Sequence, residues 1–125
     1  MIRPILATKD PYKAAAQFQK CGWRIDFQTP PDGNDPLAGV FLHGNQLLLG
    51  VMDEKYVSKD AIPYIGVGVE IHIVIPAEKV QEVFDSHACV NPSGLEKQPW
   101  GEVGFKFKLQ GYQFMIMSLD NSQRS

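Results

Sequence analysis

A weak internal repeat constrains this chain more than any other feature: a strand, a short helix and three more strands are read from Arg3 to Met52 and again from Gly66 to Leu119. Two halves of that kind each need a partner for one face, and they are expected to close one cavity between them. In the first half the apolar stretch Ile5 to Ala7 runs into Asp10-Pro11, a capping side chain followed by a proline at the first helical position, and the helix stops at Gly22. Trp23 to Gln28 reads as a strand. Thr29 to Pro36 holds three prolines, a glycine and three Asp/Asn residues and reads as a surface loop. Leu37 to Leu42 and Gln46 to Met52 form a hairpin around His43-Gly44-Asn45, and the polar stretch Asp53 to Pro63 suits a linker.

In the second half Val67 to Ile75 alternates as a strand, and Pro76 opens a helix with Val80, Val83 and Phe84 on one face that fades near His87 and Cys89. Asn91 to Pro99 reads as a flexible, polar approach. Gly101 to Leu109 then sets Val103, Phe105, Phe107 and Leu109 on one face of a strand and Gly104, Lys106 and Lys108 on the other, before a turn at Gly111 and a final strand Tyr112 to Leu119. The expected fold is α+β, one domain of two βαβββ modules. Module one covers about 3–52, the linker about 53–65, module two about 66–119 and a flexible tail 120–125.

At 125 residues with 44% hydrophobic and 21% charged side chains, the chain can bury a core without disulfide or metal staples. Cys21 and Cys89 lack CxxC spacing and are expected as reduced, half-buried thiols near the helix ends. A net charge of −2 without a Lys/Arg cluster leaves no footprint for nucleic acid. No apolar run approaches the roughly 18 residues of a membrane span, and the first residues lack a secretory layout, so a cytoplasmic protein is expected.

Catalytic signatures are missing: there is no phosphate loop and no GxSxG elbow, and Gly66-Val67-Gly68 sits inside a strand pattern where a dinucleotide motif would open a helix. Its glycines are read as a bulge or a close approach. Glu70 and His72 stand two apart on one strand and therefore leave the same face, while Val67, Val69, Ile71, Ile73 and Ile75 form an apolar face that packs under the helices. Glu70 and His72 are read as a hydrogen-bonded pair lining or rimming a pocket. His43, in a turn, and His87, after a helix, are read as solvated.

Pro4-Ile5-Leu6, Asp10, Phe18, Cys21-Gly22-Trp23, Leu37-Ala38-Gly39-Val40 and Gln98-Pro99-Trp100-Gly101 follow one another in an order that resembles the glyoxalase/bleomycin-resistance (vicinal oxygen chelate) superfamily, and most of all its small drug-binding bleomycin-resistance proteins. Enzymes of that superfamily hold a divalent metal, and the resemblance puts their ligand positions at Arg3, Leu48, Met115 and Gly68 or Val69, none of them a ligand. No cofactor, no metal and no catalytic residue is therefore expected. In the drug-binding relatives the Trp of the Trp-Gly pair stacks on the drug, which implies Trp100 as the anchor here, whereas Leu37 stands where those relatives carry an aromatic. Phe41, Leu49, Phe107 and Tyr112, with Leu47, Phe114 and Met117, are candidates to line an apolar pocket, and Met115 and Met117 would lend it adaptable walls.

The function expected is metal-independent binding of a small, partly aromatic or cationic molecule such as an antibiotic. Two alternatives stand beside it: a metal-dependent lyase, isomerase, thiol transferase or dioxygenase of the same superfamily, and a dimeric interaction module without a ligand. The resemblance also implies a homodimer, with possible exchange of the first strand around Pro4.

Overall fold

The computed structural model describes residues 3–52, 58–97, 99 and 101–118. The chain divides into two compact units, Met1–Ile65 and Gly66–Ser125.

In the first unit, strand β1 (Ile5–Thr8) leads into helix α1 (Pro11–Lys20), followed by β2 (Arg24–Gln28), β3 (Leu37–Leu42) and β4 (Asn45–Val51). The Asp10 carboxylate accepts from the backbone N–H groups of Tyr12 and Lys13, and Pro11 occupies the first helical position. This satisfies two of the N–H groups that a helix start leaves without partners. The sheet runs β1-β4-β3-β2, with β1 parallel to β4 and the other pairs antiparallel. Ala14, Ala15 and Phe18 of α1 are buried, as are Leu6, Ala38, Val40, Leu42, Leu47 and Leu49 on alternating positions of the sheet. Phe18 meets Trp23 edge to face at 5.1 Å between ring centres.

In the second unit, β5 (Glu70–Ile75) leads through a single 3₁₀ turn into α2 (Val80–Ser86), followed by the two-residue β6 (Glu96–Lys97), β7 (Val103–Leu109) and β8 (Tyr112–Ser118). The order β5-β8-β7-β6 repeats that of the first sheet, with β5 parallel to β8. Both units are βαβββ, and the architecture is α+β as the sequence predicts. The repeat extends to its turns: His43-Gly44 joins β3 to β4 and Gln110-Gly111 joins β7 to β8, all four residues at positive φ, the backbone that a tight two-residue hairpin demands.

Several expectations are corrected. The strand read from Val67 begins at Glu70, because Gly66 and Gly68 take positive φ and cannot continue a strand. At Gly66 a Cβ would collide with the Gly111 carbonyl oxygen, so the expected close approach is real there, whereas Gly68 faces open space. Val67 and Val69 are consequently 73% and 55% exposed, and only Ile73 and Ile75 of the predicted apolar face are fully buried. The second strand of the second module, β6, lies in the stretch read as a flexible approach. Cys21 is fully buried and Cys89 exposed, so neither thiol is half-buried. Of the linker expected over 53–65, residues 53–57 lie outside the described residues and Ile62–Tyr64 form one 3₁₀ turn. Leu119 and the tail 120–125 also lie outside them.

The largest correction is His87. It is wholly buried, its Nδ1 donates to the Val83 carbonyl at 2.7 Å, and its ring meets Phe105 and Phe107 at 5.4 and 4.9 Å. Burial pushes its pKa below the usual imidazole range, against the opposing pull of the Val83 carbonyl. The sequence places His87 one residue past a fading helix, which reads as surface; the aromatic faces that enclose it come from β7.

Candidate functional site

Each sheet has one face covered by its helix and one without. In the second unit Phe84 meets Phe105 at 5.3 Å and Phe107 stacks on Phe114 at 5.0 Å, so the odd positions of β7 and the even positions of β8 lie under α2. Register then assigns the opposite face: Glu70 pairs with Gln113, His72 with Met115 and Val74 with Met117, while Met115 pairs in turn with Lys106.

On that face three ionisable side chains meet. His72 Nε2 lies 2.6 Å from Glu70 Oε1, and Lys106 Nζ lies 3.6 Å from Glu70 Oε2. The Glu70 carboxyl is held below the usual carboxylate range, first by the hydrogen bond from His72 and, against a small opposing effect of burial, by the positive charge of Lys106. The pair expected between Glu70 and His72 is present, and both residues are exposed on the face away from the helix. Lys106 is the member that the sequence reading missed. Alternation put it on the polar side of its strand, but only the β5-β8-β7 pairing puts that side with Glu70.

In the first unit the helix-free face carries Leu37, Gly39 and Phe41 of β3 opposite Gly50, Leu48 and Gln46 of β4. Arg24 lies over the Phe41 ring at 4.6 Å, a cation–π contact. Arg3 Nη1 donates to Gln46 Oε1 at 3.3 Å, and Gln46 Nε2 donates to Asp26 Oδ2 at 2.6 Å. Arg24, Asp26 and Gln46 had not been singled out in the sequence, because their convergence needs three strands in register.

The other candidates divide by face. Leu37 and Phe41 are half-buried on the helix-free face of their sheet. Leu49, Phe107 and Tyr112, expected to line a pocket, are buried on the helix-covered faces together with Leu47 and Phe114, where packing is the role their surroundings support. Met115 and Met117 lie on the helix-free face of the second sheet and are buried. His43 is exposed in its turn, as read. Trp100, the expected stacking anchor, lies outside the described residues. A depression of about 420 Å³ lined by Phe84, Asp85, Ala88, Asn91 and Pro92 lies on the second unit and contains none of the expected site residues.

The positions that the resemblance matches to metal ligands do not fit a divalent ion. Arg3 is a cation, Leu48 has no donor, and the Met115 thioether is too soft for an oxygen-seeking metal. Among the described residues no three His, Cys, Asp or Glu side chains converge as a metal site would require. Nor, among these residues, is any helix long and apolar enough to cross a membrane.

No protein-family model and no curated protein matches the sequence. Solved structures do match over nearly the whole chain. The fosfomycin resistance protein FosX from Listeria monocytogenes superposes with a TM-score of 0.67 at 15% identity, over 99% of this chain and 94% of that one. A member of the glyoxalase/bleomycin resistance protein/dioxygenase superfamily from Sphaerobacter thermophilus gives 0.66 at 17% identity, over 95% and 97%. The bleomycin resistance determinant encoded on transposon Tn5 gives 0.63 at 13% identity, over 96% and 98%. With strand order, crossover and hairpins repeated in both units, the chain has the fold of the glyoxalase/bleomycin resistance protein/dioxygenase superfamily.

Proposed function

We propose that this chain binds a small, partly aromatic or cationic molecule without a metal ion, and that sequestration of an antibiotic or a similar toxic compound is the concrete form of that activity. The observation that carries the reading is the helix-free face of the second sheet, where an ionised carboxylate, an imidazole and an ammonium share one cluster beside Val74, Met115 and Met117. A few convergent polar groups give orientation, and the exposed Val74 beside them gives apolar contact. The unsuitable residues at the metal positions support binding without an ion, and similarity to resistance proteins supports a drug-like ligand. Trp100 enters as the stacking anchor on the strength of the sequence resemblance.

A thermal-shift screen of planar and cationic drugs, with divalent metals alongside, tests this reading. A true ligand at 100 times its Kd stabilises by about 2.7 kcal/mol. Trp100→Ala weakens such a ligand roughly tenfold, whereas Trp23→Ala acts on stability, since Trp23 is packed in the core against Phe18. One equivalent of Ni, Zn, Mn or Fe retained on purification, and lost in Glu70→Ala or His72→Ala, would overturn the metal-free reading in favour of a metal-dependent enzyme.

The same reading includes a homodimer. Strands β1 and β5 are sheet edges, and they present Ile5 and Val74 at 65% and 42% exposure, apolar surface that a second copy would cover. Exchange of the first strand around Pro4 is the form that the resemblance implies. Sedimentation of the chain as a monomer at micromolar concentration would contradict both.

A further inference from the structure

We infer that His72 Nδ1 is a built hydrogen-bond acceptor for a weakly acidic hydroxyl, so that the ligand class of this face is a ring bearing a phenolic O–H. The inference rests on the small-molecule reading above and deepens it. An ionised carboxylate has no proton to donate, so the contact of 2.6 Å from His72 Nε2 to Glu70 Oε1 requires the proton on Nε2. The ionised form of Glu70 is favoured by this same bond and by Lys106 at 3.6 Å on the other oxygen.

A neutral imidazole with its proton on Nε2 carries a lone pair on Nδ1. That nitrogen has no hydrogen-bond partner among the described residues, and the His72 side chain is 52% exposed. The order Lys106, Glu70, His72 thus leaves one base on an exposed side chain, with the exposed Val74 supplying apolar surface on the same face. Lys106 contacts Glu70 Oε2 while His72 holds Oε1, so the ammonium does not compete for Nδ1. A cationic N–H could also donate to this nitrogen, but it would meet the like charge of Lys106 in the same cluster, whereas a neutral hydroxyl does not. A phenol supplies that hydroxyl and adds a flat ring.

The test uses para-cresol, a phenol that keeps its O–H proton at neutral pH, and its methyl ether, para-methylanisole, with the ring nitrogens of His72 followed by NMR in the whole chain. Without any probe, the neutral ring should show Nε2–H as its single tautomer, and Glu70→Leu should give a mixture. Para-cresol should shift His72 Nδ1 and bind roughly tenfold more tightly than the ether, about the contribution of one hydrogen bond. His72→Phe should bring the two probes to equal affinity in a protein with an unchanged melting transition. An Nδ1–H tautomer in the free protein overturns the inference, as do equal affinities in the wild type or no shift of His72 by para-cresol. The small-molecule reading fails separately, when no compound in the screen stabilises the chain; a compound that stabilises it and leaves His72 undisturbed sinks this inference alone.

Discussion

In the first unit the helix begins on a capping carboxylate with a proline behind it and lies on the sheet through Ala14, Ala15 and Phe18; in the second it begins on a 3₁₀ turn without a side-chain cap and is held by rings, Phe84 and His87 against Phe105 and Phe107. Strand order and hairpin turns are nevertheless the same in both. The difference shows that this topology needs a covered sheet face and is indifferent to how the helix is anchored. One unit stabilises the helix at its end and the other along its side. The helix-free faces differ in kind as well: an arginine, amide and carboxylate chain lies on the first, and a carboxylate, imidazole and ammonium cluster lies on the second.

The largest effect that tests this contrast is Phe105→Ala. Phe105 is 1% exposed and touches both Phe84 and His87, so its loss should destabilise the protein by about 3–5 kcal/mol, read from urea denaturation. A loss below about 1 kcal/mol would mean that the second helix is not held from its side.

Acid should weaken the second unit through His87. Its folded-state pKa lies below the ordinary value because burial disfavours the charged ring, so the unfolded chain binds more protons than the native one as pH falls through the imidazole range. The stability that a neutral His87 contributes is fully present above the unfolded pKa of about 6.5 and is lost as pH drops toward the folded pKa, with a slope of up to about 1.4 kcal/mol per pH unit. His87→Gln, which keeps a donor for the Val83 carbonyl and does not titrate, should remove that part of the slope. Identical pH profiles for the two proteins would refute the assignment.

Asp10→Ala removes the cap from α1 and should lower stability by about 1 kcal/mol, within the range of about 0.5–2 found for such caps. Hydrogen exchange localises the change: amides of the first turn of α1 should lose protection while those of α2 keep theirs. Equal loss in both helices would blur the distinction between the units.

The smallest expected effect on stability is that of Lys106→Met, since Lys106 and Glu70 are exposed and surface ion pairs contribute little. Its signature is electrostatic. The Glu70 carboxyl should titrate at higher pH in the variant, followed by carbon NMR of the side chain, while the melting transition stays in place. An unchanged Glu70 titration would remove Lys106 from the cluster.

Much of this contrast was legible along the chain and part of it was not. Asp10-Pro11 announced the first helix because capping is decided by neighbours in sequence. The alternation in Val103–Leu109 announced β7 because a strand turns its side chains with a period of two. Glu70 and His72 were paired correctly for the same reason, being two apart on one strand. His87 was misread because its surroundings are rings from β7, and Lys106 was missed because it reaches Glu70 only across β8. Leu49, Phe107 and Tyr112 were rightly read as apolar, but hydrophobicity alone does not say which face of a sheet a helix will cover.

Local chemistry along the chain accounts for the two βαβββ repeats apart from β6, for the start of α1 and for the hairpin turns, because each follows from propensity, periodicity or backbone freedom within a few residues. Tertiary structure alone decided which face of each sheet lies under its helix, and with it the burial of His87 and the meeting of Glu70, His72 and Lys106. The physical reason is that strand register joins residues far apart in the chain, and a shift of one residue turns a whole strand to the opposite face.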